Sequence, residues 1–357
     1  IQDGEVKIDI AILAAPAADS FGNARGTGGP SATGVIGYAK PDYLYADKVI
    51  VVTDNLVDLP CFPMEIEGNY VDYVVVVDKI GIPEKIVSGT TQITKSPDRL
   101  LIAELTTSFL EKSGLLRNGA TMQAGAGGTS LAIAVYVHQL LKKKGWKLSF
   151  GFGGSTKYMV DMLEEGQMGY ILDAQAFDLD SVKSIEKNLN HIPYPVFNAY
   201  NYHSKGNLTT MMDIMILGAT EIDTGFNGNV VTHSDGLLLH GIGGWQNCLH
   251  ARNVIIPVPL FRDRIPVIVD RVTTLCGPGE LIDVIITERG IAINPRRQDL
   301  IDSVRGKGLP LVTIEELKEI GEKMCGKPEK AAFDDRVVAA IKWVDGTVID
   351  AVRKVKR

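Results

Sequence analysis

Asp213-Ile214-Met215-Ile216-Leu217-Gly218 is a near-copy of Asp9-Ile10-Ala11-Ile12-Leu13-Ala14, and this pair decides how the chain is to be folded. Two more pairs follow in the same order. Ala46-Asp47-Lys48-Val49-Ile50-Val51 matches Ala251-Arg252-Asn253-Val254-Ile255-Ile256, and Val71-Asp72-Tyr73-Val74-Val75 matches Ile282-Asp283-Val284-Ile285-Ile286. The offsets are 204, 205 and 211 residues. In the same scheme Asp19, Phe21 and Asn23 pair with Asp223, Phe226 and Asn229. Ordered blocks at nearly one offset mark an internal duplication, so the chain reads as two related lobes. The second lobe has about 100 residues ahead of its first matched block and the first lobe has eight. The first lobe is therefore expected to lack its front half. Residue 1 is Ile, with no basic and apolar leader behind it, which adds to the expectation that an upstream segment is absent.

The matched blocks are short, rich in Val and Ile, and mostly not alternating. They predict strands at Ile8–Leu13, Lys48–Val52, Tyr73–Val77, Asp213–Leu217, Val254–Val258 and Val284–Thr287, buried on both faces as in a parallel sheet. Ser96-Pro97-Asp98 opens a helix that Gly114 stops. Thr313-Ile314-Glu315-Glu316 is a capping box for a helix running towards Gly326. Asp345-Gly346 between two extended stretches predicts a closing hairpin. The fold class is α/β with largely parallel sheets. The expected lobes are 1–95 and 96–357, the second ending in the hairpin.

Composition narrows the function. Lys and Arg number 37 against 43 Asp and Glu, a net charge of −6, which argues against a dedicated nucleic-acid binder. No apolar run approaches the ~18 residues of a membrane span. Four cysteines exclude a disulfide scaffold and suit the cytoplasm. Glycine is over-represented, at 37 of 357, and falls in clusters.

Three clusters are candidates for chemistry. Gly125-Ala126-Gly127-Gly128-Thr129-Ser130 opens a helix expected at Leu131–Lys144, where free backbone N–H groups suit a phosphate, carboxylate or oxyanion. Its sixth position is Ser130 and no GK[ST] follows, so neither the dinucleotide fingerprint nor a Walker loop is present. Gly151-Phe152-Gly153-Gly154 is expected to turn just after a strand at Lys147–Phe150, and Gly241-Ile242-Gly243-Gly244 forms the third cluster. Each reads equally as a tight turn. Together they suggest a site at strand ends. No G-x-S-x-G elbow or H-E-x-x-H exists, and no metal site is expected. Arg262 and Arg264 read either as surface ion-pair partners or as a positive site for a polyanionic acid.

Several runs then resemble the citrate lyase alpha subunit. They are Gly218-Ala219-Thr220-Glu221-Ile222-Asp223, Phe226-Asn227-Gly228-Asn229-Val230, Ser234-Asp235-Gly236, Asp173-Ala174-Gln175-Ala176-Phe177-Asp178, Val284 through Arg297, Phe21-Gly22-Asn23-Ala24 and Thr347-Val348-Ile349-Asp350. The resemblance covers essentially the whole chain. It implies two CoA-transferase-type lobes, the first truncated at its N-terminus. It implies exchange of acetate for citrate on an acyl-carrier-protein or CoA thioester, with a lyase (beta) subunit and a carrier (gamma) subunit as partners, and the chain itself is expected to form a homo-oligomer. It implies that CoA, or the carrier's CoA-like group, enters as substrate. The residues expected to stabilise the oxyanion are Gly153, Gly154, Gly243 and Gly244. Those expected to meet the CoA-like group are Gly125, Gly127, Gly128, Phe152, Asn227 and Asn229. Related CoA-transferases carry a glutamate before the second glycine turn. Here Gly151-Phe152-Gly153 stands there, so direct carboxylate attack through a mixed anhydride is expected. After the third turn the family pattern runs His-Ser-Asp-like, whereas this chain has Trp245-Gln246-Asn247. Gln246 and Asn247 are therefore candidate contacts to the acceptor acid, which leaves citramalate or another hydroxy acid open as an alternative to citrate. A CoA-transferase or thioesterase for another hydroxy acid, and a non-catalytic CoA- or phosphate-binding module, are the alternatives.

Overall fold

The computed structural model describes residues 1–86, 91–204, 206–327 and 331–356. The chain divides into two units, Ile1–Gln92 with Lys147–Asn207, and Ile93–Trp146 with Leu208–Arg357. The first cut falls close to the expected 95/96. The segment Lys147–Asn207, expected in the second lobe, groups instead with the first unit.

In the first unit, Lys48–Thr53 lies between Ile10–Ala14 and Tyr73–Val76, all parallel. Ala11, Leu13, Val49 and Val51 point into a core with Ala18, Ala39, Tyr43 and Ile66. The alternate residues do not: Ile10, Ile12 and Tyr73 are 57%, 68% and 59% exposed. The expectation of two buried faces thus fails for this sheet. Its strands follow the period-2 rule of a half-covered sheet, because the described residues place nothing over the second face. A second set of strands in this unit, Leu148–Ser155, Met168–Ala176 and His191–Pro193, is also parallel.

In the second unit Met122–Ala124, Ile214–Ile216, Val254–Pro257 and Val284–Thr287 run parallel, and Gly290–Ile293 closes antiparallel. Here both faces are covered: Ile214, Met215, Ile216, Val254, Ile255, Val284 and Ile285 are fully buried. Helix Pro97–Ser113 packs on the strands Val254–Pro257 and Val284–Thr287 and on helix Gly128–Lys144. Its cap is Ser96 with Pro97 next, and Gly114 ends it at φ 80°. The Thr313 hydroxyl accepts from Glu316 N while Glu316 accepts from Thr313 N, completing the expected capping box of Ile314–Cys325. The hairpin pairs Phe333–Lys342 with Val348–Val355. Among the described residues no helix is long and apolar enough to cross a membrane.

The duplication extends to single hydrogen bonds. Asp19 Oδ1 accepts from Phe21, Gly22 and Asn23 N–H, and Asp223 Oδ1 accepts from Gly225 and Asn227 N–H. The Asn23 amide donates to Asp19 and its oxygen accepts from Gly68 N at 3.0 Å. The Asn227 amide donates to Asp223 and its oxygen accepts from Gly279 N at 2.9 Å. Asp72 accepts from Val49 N and pairs with Lys48, and Asp283 accepts from Val254 N and pairs with Arg297. These bonds correct one pairing: the partner of Asn23 is Asn227, four residues after its acid, and not Asn229. An Asx turn fixes that spacing, whereas letter matching does not.

Candidate active site

Strand Leu148–Ser155 runs through the second glycine cluster instead of stopping before it. The long neighbour Met168–Ala176 pairs along its whole length, so the cluster lies inside a strand, opposite a bulge at Ala174 of the neighbour, and is not a turn after a strand. The register slips between Gly153 and Gly154: Gly153 lies opposite Asp173, and Gly154 opposite Gln175. Gly153 has φ 112°, a conformation open to glycine. At Gly154 a Cβ would stand 1.8 Å from Phe177 Cε2, so glycine and ring touch. Phe152 is fully buried, with edge-on contacts to Tyr194 and Tyr200.

Beside the bulge lies a buried polar group, Asp173 with Ser155 and His191, and the backbone N–H of exposed Gln175 also donates to Asp173. Glu65 stands near Asp173 and staples the loop that follows Arg25. Its carboxylate accepts from Gly26 N at 2.7 Å and Ile36 N at 2.6 Å. Further along that loop Thr33, Val35 and Tyr38 line a cavity of about 440 Å³ together with Gln175 and Phe177. Burial pushes the Glu65 carboxyl up to about 7, against the two N–H donors that favour its ionised form. The proton binds more tightly in the folded chain, so by linkage the contribution to stability is present below pH ~4.5 and is lost as pH rises through about 7. The loss is about 3 kcal/mol. Urea melts at pH 5 and pH 8 of the wild type and of Glu65→Gln check this: the stability difference between the two proteins should move in the wild type's favour at the lower pH.

In the second unit the first and third glycine clusters lie near the C-terminal ends of parallel strands. Met122–Ala124 leads through Gly125 and Gly127 into the helix that begins at Gly128, one turn earlier than expected. The adjoining strand Ile214–Ile216 runs on to Gly218 and Ala219. Two side chains donate to the carbonyls there: Trp245 Nε1 to Gly218 O at 2.8 Å, and Arg262 Nη2 to Ala219 O at 2.7 Å. Burial, and Arg99 nearby, hold the Arg262 guanidinium below its ordinary value. Gly243 has φ 59°, and Gly244 caps the short helix Trp245–Cys248. The Trp245 ring fills space left by Gly228 and Gly277, where a Cβ would stand 2.7 and 2.5 Å from it.

Gln246 is buried and donates to Cys276 O, while Asn247 is half-buried. Arg264 is exposed at the tip of the hairpin Phe261–Arg262/Ile265–Pro266, with Asp263 and Arg264 both at positive φ, as a two-residue turn requires. Asn227 holds the Asp223 turn. Asn229 is fully buried, donating to Glu221 and Thr232. Arg297 binds Asp283 and Asp299.

Comparison with known proteins gives one consistent result. Residues 1–355 match the family described as citrate lyase, alpha subunit (CitF). The chain is 42% identical over 357 residues to the citrate lyase alpha chain of Klebsiella pneumoniae, covering 100% of this chain and 70% of that one. A crystal structure described as an alpha subunit of citrate lyase in complex with citrate, from Streptococcus mutans, superposes with a TM-score of 0.94 at 42% identity, over 99% of this chain and 70% of that one. A 4-hydroxybutyrate CoA-transferase from Porphyromonas gingivalis shares the fold at a TM-score of 0.55 and 16% identity, over 90% of this chain and 77% of that one.

Proposed function

The chain belongs to the citrate lyase alpha subunit family, a family of acyl transferases, and from that premise we propose that it exchanges acetate for citrate on a thioester. The observation that carries this reading is the whole-chain likeness to a subunit crystallised with citrate. The thioester is that of an acyl carrier protein, or of CoA in its place. The partners are the carrier and a lyase subunit that cleaves the citryl thioester, in a cytoplasmic complex.

The step needs no covalent enzyme intermediate. A citrate carboxylate oxygen attacks the acetyl carbonyl carbon. The C–O bond forms, the C–S bond breaks and the thiolate leaves, giving a mixed acetic–citric anhydride. The thiolate then attacks the citryl carbonyl, a C–S bond forms, and acetate departs with the oxygen that attacked. Both oxygens of Glu65 and of Asp173 already accept hydrogen bonds, which supports direct attack over an enzyme anhydride at these two acids. Backbone N–H donors are the natural stabiliser of the oxyanion, worth roughly 10²–10³ in rate each. We assign Gly153 and Gly154 to that role in the first unit, and Gly243 and Gly244 in the second. Gly125, Gly127 and Gly128 face the CoA-like group, and Arg262 and Arg264 supply positive charge for the acid.

The test is incubation of the purified protein with acetyl-CoA and citrate. Citryl-CoA and acetate should appear in equal amounts, with neither formed when citrate is omitted. Trp245-Gln246-Asn247 supports a second reading, in which citramalate or another hydroxy acid replaces citrate; the same assay run with those acids decides between them. No acetate release with any of them would end the transferase reading.

A further inference from the structure

We infer that Asp173, backed by His191, is the positioning residue that sets the bulge facing Gly153 and Gly154, whose extra residue is Ala174, and through it the rate of acyl transfer. The inference rests on the transferase reading for its effect on rate, and on geometry alone for its effect on the bulge.

A bulge interrupts the ladder and leaves donors without their regular carbonyls. Here one side chain takes their place. Asp173 lies opposite Gly153, at the last residue before the slip. Its Oδ1 accepts from Ser155 N at 3.1 Å on one strand and from Gln175 N at 3.0 Å on its own. A single oxygen thus bridges the two strands where the register breaks. Its Oδ2 accepts from Ser155 Oγ at 2.5 Å and meets His191 Nε2 at 3.1 Å. His191 Nδ1 lies 2.9 Å from Ser184 Oγ on helix Leu179–Lys187, which anchors the ring. Asp173, Ser155, His191 and Ser184 are all buried. A buried carboxylate with four partners has one available geometry, because removing any partner leaves a polar atom unsatisfied.

The same three residue types form nucleophilic triads, but the order here is different. Ser155 Oγ bonds the carboxylate and not the imidazole, so the histidine does not reach the hydroxyl as it does in such a triad. The acid is the hub, and what it holds is backbone. Ser155 directly follows Gly154, so fixing Ser155 N and Oγ fixes the Gly154–Ser155 peptide and with it the C-terminal side of Gly154. A donor aimed at a developing charge acts on the transition state more than on bound substrate.

The test is Asp173→Asn, which keeps the shape but cannot accept from both strands and from the hydroxyl at once. Turnover is expected to slow by roughly 10²-fold or more, with KM for citrate within about threefold. Amide hydrogen exchange in 148–157 and 170–177 should also accelerate. Should that variant fail to fold, His191→Gln keeps a donor towards Asp173 but loses the Ser184 contact, and kcat is expected to fall about tenfold with KM unchanged. Wild-type kcat together with wild-type exchange in the folded variants overturns the inference. Exchange needs no turnover, so a wild type inactive on every acid would end the transferase reading while the exchange result still decides the role of Asp173.

Discussion

Replacing Gly154 by alanine is expected to slow acyl transfer at saturating substrate by roughly 10²-fold or more, while leaving the KM for citrate within a few fold. The added Cβ would stand 1.8 Å from Phe177 Cε2, 2.6 Å from Cδ2 and 2.7 Å from Cζ. The ring cannot yield by a rigid shift of its backbone, because Phe177 N is bonded to Ser155 O at 3.0 Å. Either the ring swings towards the cavity it lines or the glycine strand moves off it, and the second changes the direction of the Gly153–Gly154 peptide. Loss of a single oxyanion donor in other enzymes slows the reaction by roughly 10²–10³. Gly151→Ala is the internal control. Its Cβ would meet Met159 Cε and Met168 Cε at 2.8 Å, the ends of flexible side chains that can give way. Steady-state kinetics on both variants should separate their turnover rates by more than tenfold. Equal rates would remove the bulge from the chemistry.

Gly279→Ala is expected to be the most damaging substitution for stability. Its Cβ would lie 1.9 Å from Gly225 O, 2.8 Å from the Phe226 carbonyl carbon and 2.9 Å from Asn227 N. All three are backbone atoms of the Asp223 turn, in which Phe226 already holds φ 64° and Asn227 accepts from Gly279 N itself. Nothing at that contact can rotate away. A loss of about 4 kcal/mol or more is expected, in the range kept for overpacking that backbone cannot relieve. The counterpart in the duplication, Gly68, faces Phe21 Cδ1 at 2.5 Å and Asn23 N at 2.8 Å. Gly68→Ala should therefore destabilise the first unit in the same manner. Thermal melts of the two variants, with exposed Gly241→Ala as reference, measure this. A Gly279→Ala variant melting with the reference would mean that the turn is not closed as described.

Periodicity and punctuation made the fold legible. The six apolar runs became the six matched strands, and Gly114, Thr313 and Asp345-Gly346 ended or opened what they should. Two things were out of reach. A run of Val and Ile does not say whether a second layer covers it, so the exposed face around Ile10 and Ile12 could not be read from residue type. Long-range pairing was also invisible. The partner strand Met168–Ala176 carries Leu148–Ser155 through its glycines, and letters alone suggested a turn there. The site was less legible than the fold. Gly153 and Gly154 stood out as glycines, but Asp173 looked like one letter of a family motif, because its role depends on Ser155 and His191, 18 residues away on either side. Gln246 read as a candidate contact to the acceptor acid, and its burial and its bond to Cys276 O depend on chain neighbours that the letters do not show.

The central claim is direct attack of the acid on the thioester, and the acetate released in one turnover tests it. Citrate labelled with ¹⁸O in its carboxylates is mixed with acetyl-CoA and an excess of enzyme, and the first-turnover acetate is analysed by mass. Direct attack places one labelled oxygen in that acetate. Unlabelled acetate in the first turnover, with label accumulating in an enzyme carboxylate, would mean a covalent acyl-enzyme and would contradict the account.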